Sequence, residues 1–62
     1  MTPAMRRTLR KIRAGERLPA TLGTLEAMAA LAEAGLIQAE RDPVTRSPVA
    51  WVETDAGKAV EL

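Results

Sequence analysis

The amino-acid sequence predicts a small α+β domain whose elements run helix, linker, helix, β-hairpin and short helix. Three observations predict this fold class. Apolar residues recur at helical spacing in two segments of the first half of the chain. Two later segments have strand character and are separated by a loop that contains two prolines. A length of 62 residues allows one domain at most, so a single domain is expected over residues 1–62.

The first helix is predicted over residues 3–14. Thr2 is a good capping residue, and Pro3 suits the first helical position. Gly15 can adopt the left-handed conformation that ends a helix. Three apolar residues at i, i+4 and i+7 form one stripe along this helix: Met5, Leu9 and Ile12.

A connector follows the first helix over residues 16–19. Leu18 precedes Pro19, and a residue before proline is biased towards extended backbone geometry. We therefore expect an extended connector in which Leu18 pairs as a very short strand.

The second helix is predicted over residues 21–34, where most residues are Ala, Leu, Glu or Met. Gly35 follows as a glycine cap, and Leu36 is expected to touch Leu31 across it. Small alanines cover almost the whole surface of this helix. They favour either a tightly packed central helix or a dimer seam, because both arrangements need a close approach of another helix.

The second half of the chain predicts a hairpin and a closing helix. Ile37 and Ala39 alternate with polar residues within 36–41, residues 42–48 form the loop, and 49–54 form the second strand. Thr54 can cap a short helix over 55–61. Trp51 is the only aromatic residue. It is expected to cover the core from the sheet, with an interface anchor as the alternative.

Charge is divided along the chain. Residues 6–17 hold six of the nine basic residues and one acid, Glu16, whereas residues 18–62 hold seven acids and three bases. A basic stripe is the electrostatic footprint of an anionic partner. The alternative is a solvated face that pairs with the chain's own acids, such as Glu16. Arg41 and Arg46 flank the hairpin tip, where they either reach a DNA backbone or keep the loop soluble.

The residue inventory argues against several classes of function. The chain has no His, Cys, Tyr or Asn, and its one serine, Ser47, precedes a proline. Because nucleophilic catalysis needs an activated nucleophile beside a base, we expect no enzymatic activity. We also expect no metal and no cofactor. No apolar run approaches the roughly 20 residues that span a bilayer, so a soluble cytoplasmic protein without a membrane partner is expected.

Two segments carry a family resemblance. The run Leu31 to Ile37 and the run Trp51 to Lys58 resemble the second half of a winged helix-turn-helix domain. In that family the recognition helix ends in a fixed pattern. The pattern is a leucine, any three residues, a glycine, a leucine, and then isoleucine or valine. The wing of the family ends in threonine, two residues and glycine, as in MarR- and PadR-like regulators. The match covers roughly residues 21–60, and the resemblance implies a small winged-helix-like domain.

The resemblance implies a non-enzymatic DNA-binding regulator of transcription, of the compact kind found in phages and mobile elements. The basic first helix and the wing would contact phosphates, while the first turn of the second helix would approach double-stranded DNA. The candidate nucleic-acid-binding residues are Arg6, Arg7, Arg10, Lys11, Arg13, Arg17, Thr21, Thr24, Arg41 and Arg46.

A protein-binding module is the alternative function. Residues 18–37 contain no Arg, Lys, Asn or Gln, the residue types on which base readout relies. A small phage-type inhibitor, for example an anti-CRISPR protein, would keep the winged-helix shape without those residues. A homodimer is a further expectation, because only 17 apolar residues are larger than alanine. The candidate protein-binding residues are Glu26, Glu33, Glu40, Asp42 and Trp51.

Overall fold

The computed structural model describes residues 1–62 and is a small α+β domain, which confirms the predicted fold class. The two strands pair antiparallel into one sheet, and the order of the elements is the predicted one. None of the helices has both the length and the apolar character that crossing a membrane requires. The elements are α1 Pro3–Arg13, α2 Leu22–Glu33, β1 Ile37–Arg41, β2 Pro48–Glu53 and α3 Asp55–Lys58.

Both long helices begin at a threonine cap. The Met5 N–H donates to the Thr2 hydroxyl at 3.1 Å, and the Thr24 N–H donates to the Thr21 hydroxyl at 3.3 Å. Each bond satisfies one of the backbone donors that a helix leaves open at its start. The predicted helix starts are therefore confirmed to within a residue.

Both long helices also end at a left-handed glycine. Gly15 has φ 72° and Gly35 has φ 76°. In α2 the Leu36 N–H reaches back to the Leu31 carbonyl at 2.9 Å, which closes the turn. This geometry turns the chain out of α2 directly into β1.

The core is small and lies where α1, α2 and β1 meet. Leu9, Leu31 and Ile37 form a buried cluster, each from a different element. Seven partly buried apolar residues pack around this cluster: Met5, Ile12, Met28, Ala32, Leu36, Val60 and Leu62. The apolar stripe predicted for α1 is thus the face that enters the core.

A threonine–glycine corner joins the end of α2 to the end of β2. The Thr54 hydroxyl accepts the Gly57 N–H at 3.1 Å and donates to the Gly35 carbonyl at 2.6 Å. The Thr54 N–H donates to the Leu36 carbonyl at 3.0 Å. Gly57 is buried directly against that same carbonyl, where a Cβ atom would collide with the oxygen. Only glycine therefore fits at this position.

Three predictions about individual segments are wrong. Leu18 forms no strand, since Pro19 beside it has no N–H to donate to a sheet. The helix α3 ends at Lys58 instead of residue 61, because the chain beyond it turns to pack Val60 on the core. Trp51 does not cover the core: it remains 41% exposed and lies outside the core cluster.

Candidate functional site

One side of α1 carries a cluster of basic residues. Because a helix turns by about 100° per residue, positions 6, 7, 10 and 11 share one side, away from the stripe that holds Leu9. All four side chains are exposed to solvent. We call this surface the basic face, and it consists of Arg6, Arg7, Arg10 and Lys11.

The basic face has no internal counterion. The chain forms a single ion pair, between Arg13 and Glu53, and neither residue belongs to this face. Glu16 forms no ion pair with any of the bases, so these four residues form a solvated face that is not paired with this acid. Four unpaired positive charges on one exposed side create a local potential that attracts anions.

A cleft adjoins the basic face and separates α1 from the start of α2. Its volume is about 220 Å³. We call it the α1–α2 cleft, and no residue of the hairpin lines it. The lining residues are Ala4, Arg7, Thr8, Lys11, Leu18, Thr21, Gly23 and Thr24.

The α2 side of this cleft is also suited to an anion. The first N–H groups of a helix have no intrahelical acceptor, and the helix dipole makes this end positive. The Thr21 and Thr24 hydroxyl oxygens lie 3.0 Å apart and share a hydrogen bond at this end of α2. The cleft thus brings together Arg7, Lys11, Thr21 and Thr24, four of the ten predicted nucleic-acid-binding residues.

Arg13 has a structural role that the sequence reading missed. Its Nε and Nη2 atoms both lie 2.9 Å from the Glu53 carboxylate. Nη2 also donates to the carbonyls of Gly57 at 3.0 Å and Val60 at 2.9 Å. The guanidinium therefore ties α1 to β2 and α3, and we remove Arg13 from the candidate interface. No local pattern in the sequence marks this role, because the bonding partners of Arg13 lie 40 to 47 residues away.

The remaining predicted bases lie away from the cleft. The Arg41 guanidinium donates to the Arg46 carbonyl at 3.0 Å and so braces the hairpin tip. Arg46 is exposed, with a left-handed backbone at φ 65°. Arg17 lines a different, apolar groove on another side of α2. Neither the arginines of the hairpin tip nor Arg17 therefore line the α1–α2 cleft.

Asp42 organises the hairpin tip. Its carboxylate accepts the N–H groups of Val44 at 2.7 Å and Thr45 at 3.0 Å. The backbone N–H groups of Thr45 and Val44 hold the pKa of Asp42 below its ordinary value, because they stabilise the charged form. This carboxylate is thus occupied within its own loop.

The depressed pKa of Asp42 predicts an acid-sensitive tip. A carboxyl whose native pKa is lowered contributes order that is complete above its ordinary pKa and is lost as the pH falls through the native value. In an NMR titration, the Val44 and Thr45 amide shifts should move with a midpoint below the ordinary value for aspartate. The Asp42→Asn variant should abolish this titration. A midpoint at or above the ordinary value would contradict the bonding described here.

The residues proposed for protein binding are distributed over α2 and the hairpin. Glu26 and Glu33 share the exposed side of α2, at positions seven residues apart. Glu40 and Trp51 lie on opposite faces of the hairpin, since Trp51 pairs with Ala39 and side chains alternate along a strand.

Fold and site together define a small α+β domain with one basic, internally unpaired helix face. Comparison of the chain with protein-family models, curated protein sequences and solved structures finds no match. The structure has no group of three or more histidine, cysteine or acidic side chains that could hold a metal ion. The winged-helix relationship stays a prediction from the sequence.

Proposed function

We propose that this protein is a non-enzymatic DNA-binding protein that grips the phosphate backbone through the basic face. The observation that carries the proposal is that four exposed bases stand together on α1 with no internal acid to neutralise them. Phosphates would supply the missing counterions, and the release of condensed salt ions from DNA would drive binding. A role in transcription regulation in a phage or mobile element is part of the same proposal.

The α1–α2 cleft supplies the proposed point of closest approach. A phosphate beside Arg7 and Lys11 would also meet the Thr24 hydroxyl and the positive end of α2. Contacts of this kind position a protein on a duplex without reading its sequence. The exposed side of α2 presents Leu22, Leu25 and Glu26, which lack the donors used for base readout. Weak sequence preference is therefore part of the proposal.

The test is fluorescence anisotropy of a labelled random duplex titrated with the protein at about 50 and 200 mM salt. Four phosphate contacts predict a slope of log affinity against log salt of about −3.6. The Arg7→Gln/Lys11→Gln and Arg6→Gln/Arg10→Gln variants should each bind about tenfold more weakly or worse, with a slope less negative by about 1.8.

A matched control is Lys58→Gln, which removes one exposed positive charge from α3, outside the cleft. This variant should keep nearly the wild-type affinity. If Lys58→Gln weakens binding as much as the α1 variants, attraction is a property of net charge and the basic face is not an interface. If the protein does not bind the duplex at the lower salt concentration, the DNA proposal is wrong.

A second candidate is binding of an acidic protein surface by the same basic face. The observation that favours it is the absence of base-reading side chains on the exposed side of α2. This candidate fits a small inhibitor that blocks a protein partner. It predicts no affinity for duplex DNA and capture of an acidic protein that is lost in the Arg6→Gln/Arg10→Gln variant.

A further inference from the structure

An apolar groove lies between α2, the connector and the inner face of the hairpin. Its volume is about 530 Å³, and its walls are mostly apolar. Leu18 and Pro19 form the connector wall, Leu25 and Met28 belong to α2, and Trp51 comes from β2. None of the four residues of the basic face lines this groove, so it is a separate surface.

Three of the six large apolar residues that are exposed line this groove. Leu25 is 54% exposed, Val49 62% and Trp51 41%, and all three line the groove. Leu22, one helical turn before Leu25 and Glu26, is 72% exposed. In the whole chain only four apolar residues are buried. A chain with so few large side chains thus leaves its single tryptophan outside its core.

The accessible surface of the chain is larger than the surface expected for a compact monomer of the same mass. The chain exposes 4493 Å². A compact monomer of 6.7 kDa is expected to expose about 3,900 Å². The excess is about 600 Å² per chain and belongs to the surface as a whole. An interface that covered a comparable area on each of two chains would bury about 1,200 Å², the lower end of the range for stable interfaces.

The groove and its rim are suited to a second copy of the same surface. A two-fold interface brings one patch against itself, so the patch needs both projecting and recessed parts. Here Leu25 and Val49 are each more than half exposed and line the same recess as Trp51. The rim carries both signs of charge, because Glu16 and Arg17 both line the groove, so a two-fold arrangement allows Arg17 of each copy to face Glu16 of the other. The basic face, by contrast, would repel a copy of itself.

We propose that the apolar groove is the interface of a two-fold symmetric homodimer of this chain. The interface would remove Leu25, Val49 and Trp51 from water and would extend the thin core across the axis. Each dimer would present two basic faces, since their residues lie outside the groove. Dimerisation does not depend on what the basic face binds, so the dimer proposal and the DNA-binding proposal can fail independently of each other.

Sedimentation and light scattering of the full chain test this proposal from nanomolar to high micromolar concentration. The expected mass is twice that of the chain at high concentration and falls to one chain on dilution. Trp51 is the only tryptophan, so its emission maximum should move to longer wavelength as the dimer dissociates and the indole becomes hydrated. A constant single-chain mass with unchanged emission would overturn the proposal and assign the groove to a different partner.

Two variants at exposed positions separate the interface from the fold. Leu25→Glu in α2 and Val49→Lys in β2 should each weaken dimerisation at least about tenfold, with unchanged circular dichroism. The control is Val44→Lys, because Val44 is 87% exposed at the hairpin tip and does not line the groove. This control should dimerise like the wild type. Equal weakening by Val44→Lys, or open-ended assembly instead of a dimer, would contradict the two-fold interface.

Discussion

The Gly57→Ala variant is expected to lose about 3 kcal/mol of folding free energy, a large part of what a 62-residue domain has. The added Cβ would lie inside contact distance of the Leu36 carbonyl oxygen, which is backbone and cannot rotate away. Either α3 or the turn after α2 must move, and the Thr54 bonds that join them would be strained. Urea unfolding followed by circular dichroism measures the loss.

The sign of the change in unfolding free energy distinguishes an effect of packing from an effect of helix propensity. Alanine is favoured over glycine inside a helix by about 1 kcal/mol, so propensity alone predicts that Gly57→Ala is stabilising. Gly23→Ala is the matched control, because a Cβ at Gly23 in α2 meets no atom within 4 Å. This control should gain about 0.5–1 kcal/mol. A Gly57→Ala variant as stable as Gly23→Ala would show that the corner is not tightly packed.

The Arg13→Ala variant is the second large effect, with an expected loss of about 2–4 kcal/mol. The Glu53 side chain is only 7% exposed, so removal of Arg13 leaves a nearly buried carboxylate without its partner. The carbonyls of Gly57 and Val60 lose a donor at the same time. Arg10→Ala, an exposed base on the same helix, should change stability by no more than about 0.5 kcal/mol.

A double variant tests whether the cost comes from an unpaired charge. Arg13→Met/Glu53→Leu replaces both partners with apolar side chains and should recover most of the stability lost in Arg13→Ala. The cycle consists of the wild type, Arg13→Met, Glu53→Leu and the double variant. Their four unfolding free energies give a coupling energy, expected at about 1–3 kcal/mol. Additive effects of the two single substitutions would mean that the 2.9 Å ion pair has no energetic consequence.

Local signals predicted the secondary structure of this chain well. Threonine caps, left-handed glycines and apolar periodicity act within one or two turns, so they can be read from neighbouring residues. Thr2, Gly35 and Thr54 all take the predicted role. The error at the end of α3 arose because Val60 packs on a core whose residues lie far away in the sequence, whereas Leu18 forms no strand because of its neighbour Pro19.

The candidate site was only partly predictable for the same reason. Arg7 and Lys11 were identifiable from charge, and Thr21 and Thr24 from their place at a helix start. Their convergence on one cleft depends on how α1 packs against α2. Arg13 looked like its neighbours in the sequence, yet its partners are 40 to 47 residues away.

By itself, the sequence determined the α+β class, the order of the five elements, the helix caps and the separation of a basic helix from an acidic remainder. These properties depend on periodicity, capping chemistry and composition, which act locally. Only the tertiary structure decided which bases remain unpaired and that Trp51 lies in an open groove instead of the core. Pairing and burial are set by the packing of distant segments, and a core of three buried residues is too small to enclose every apolar side chain.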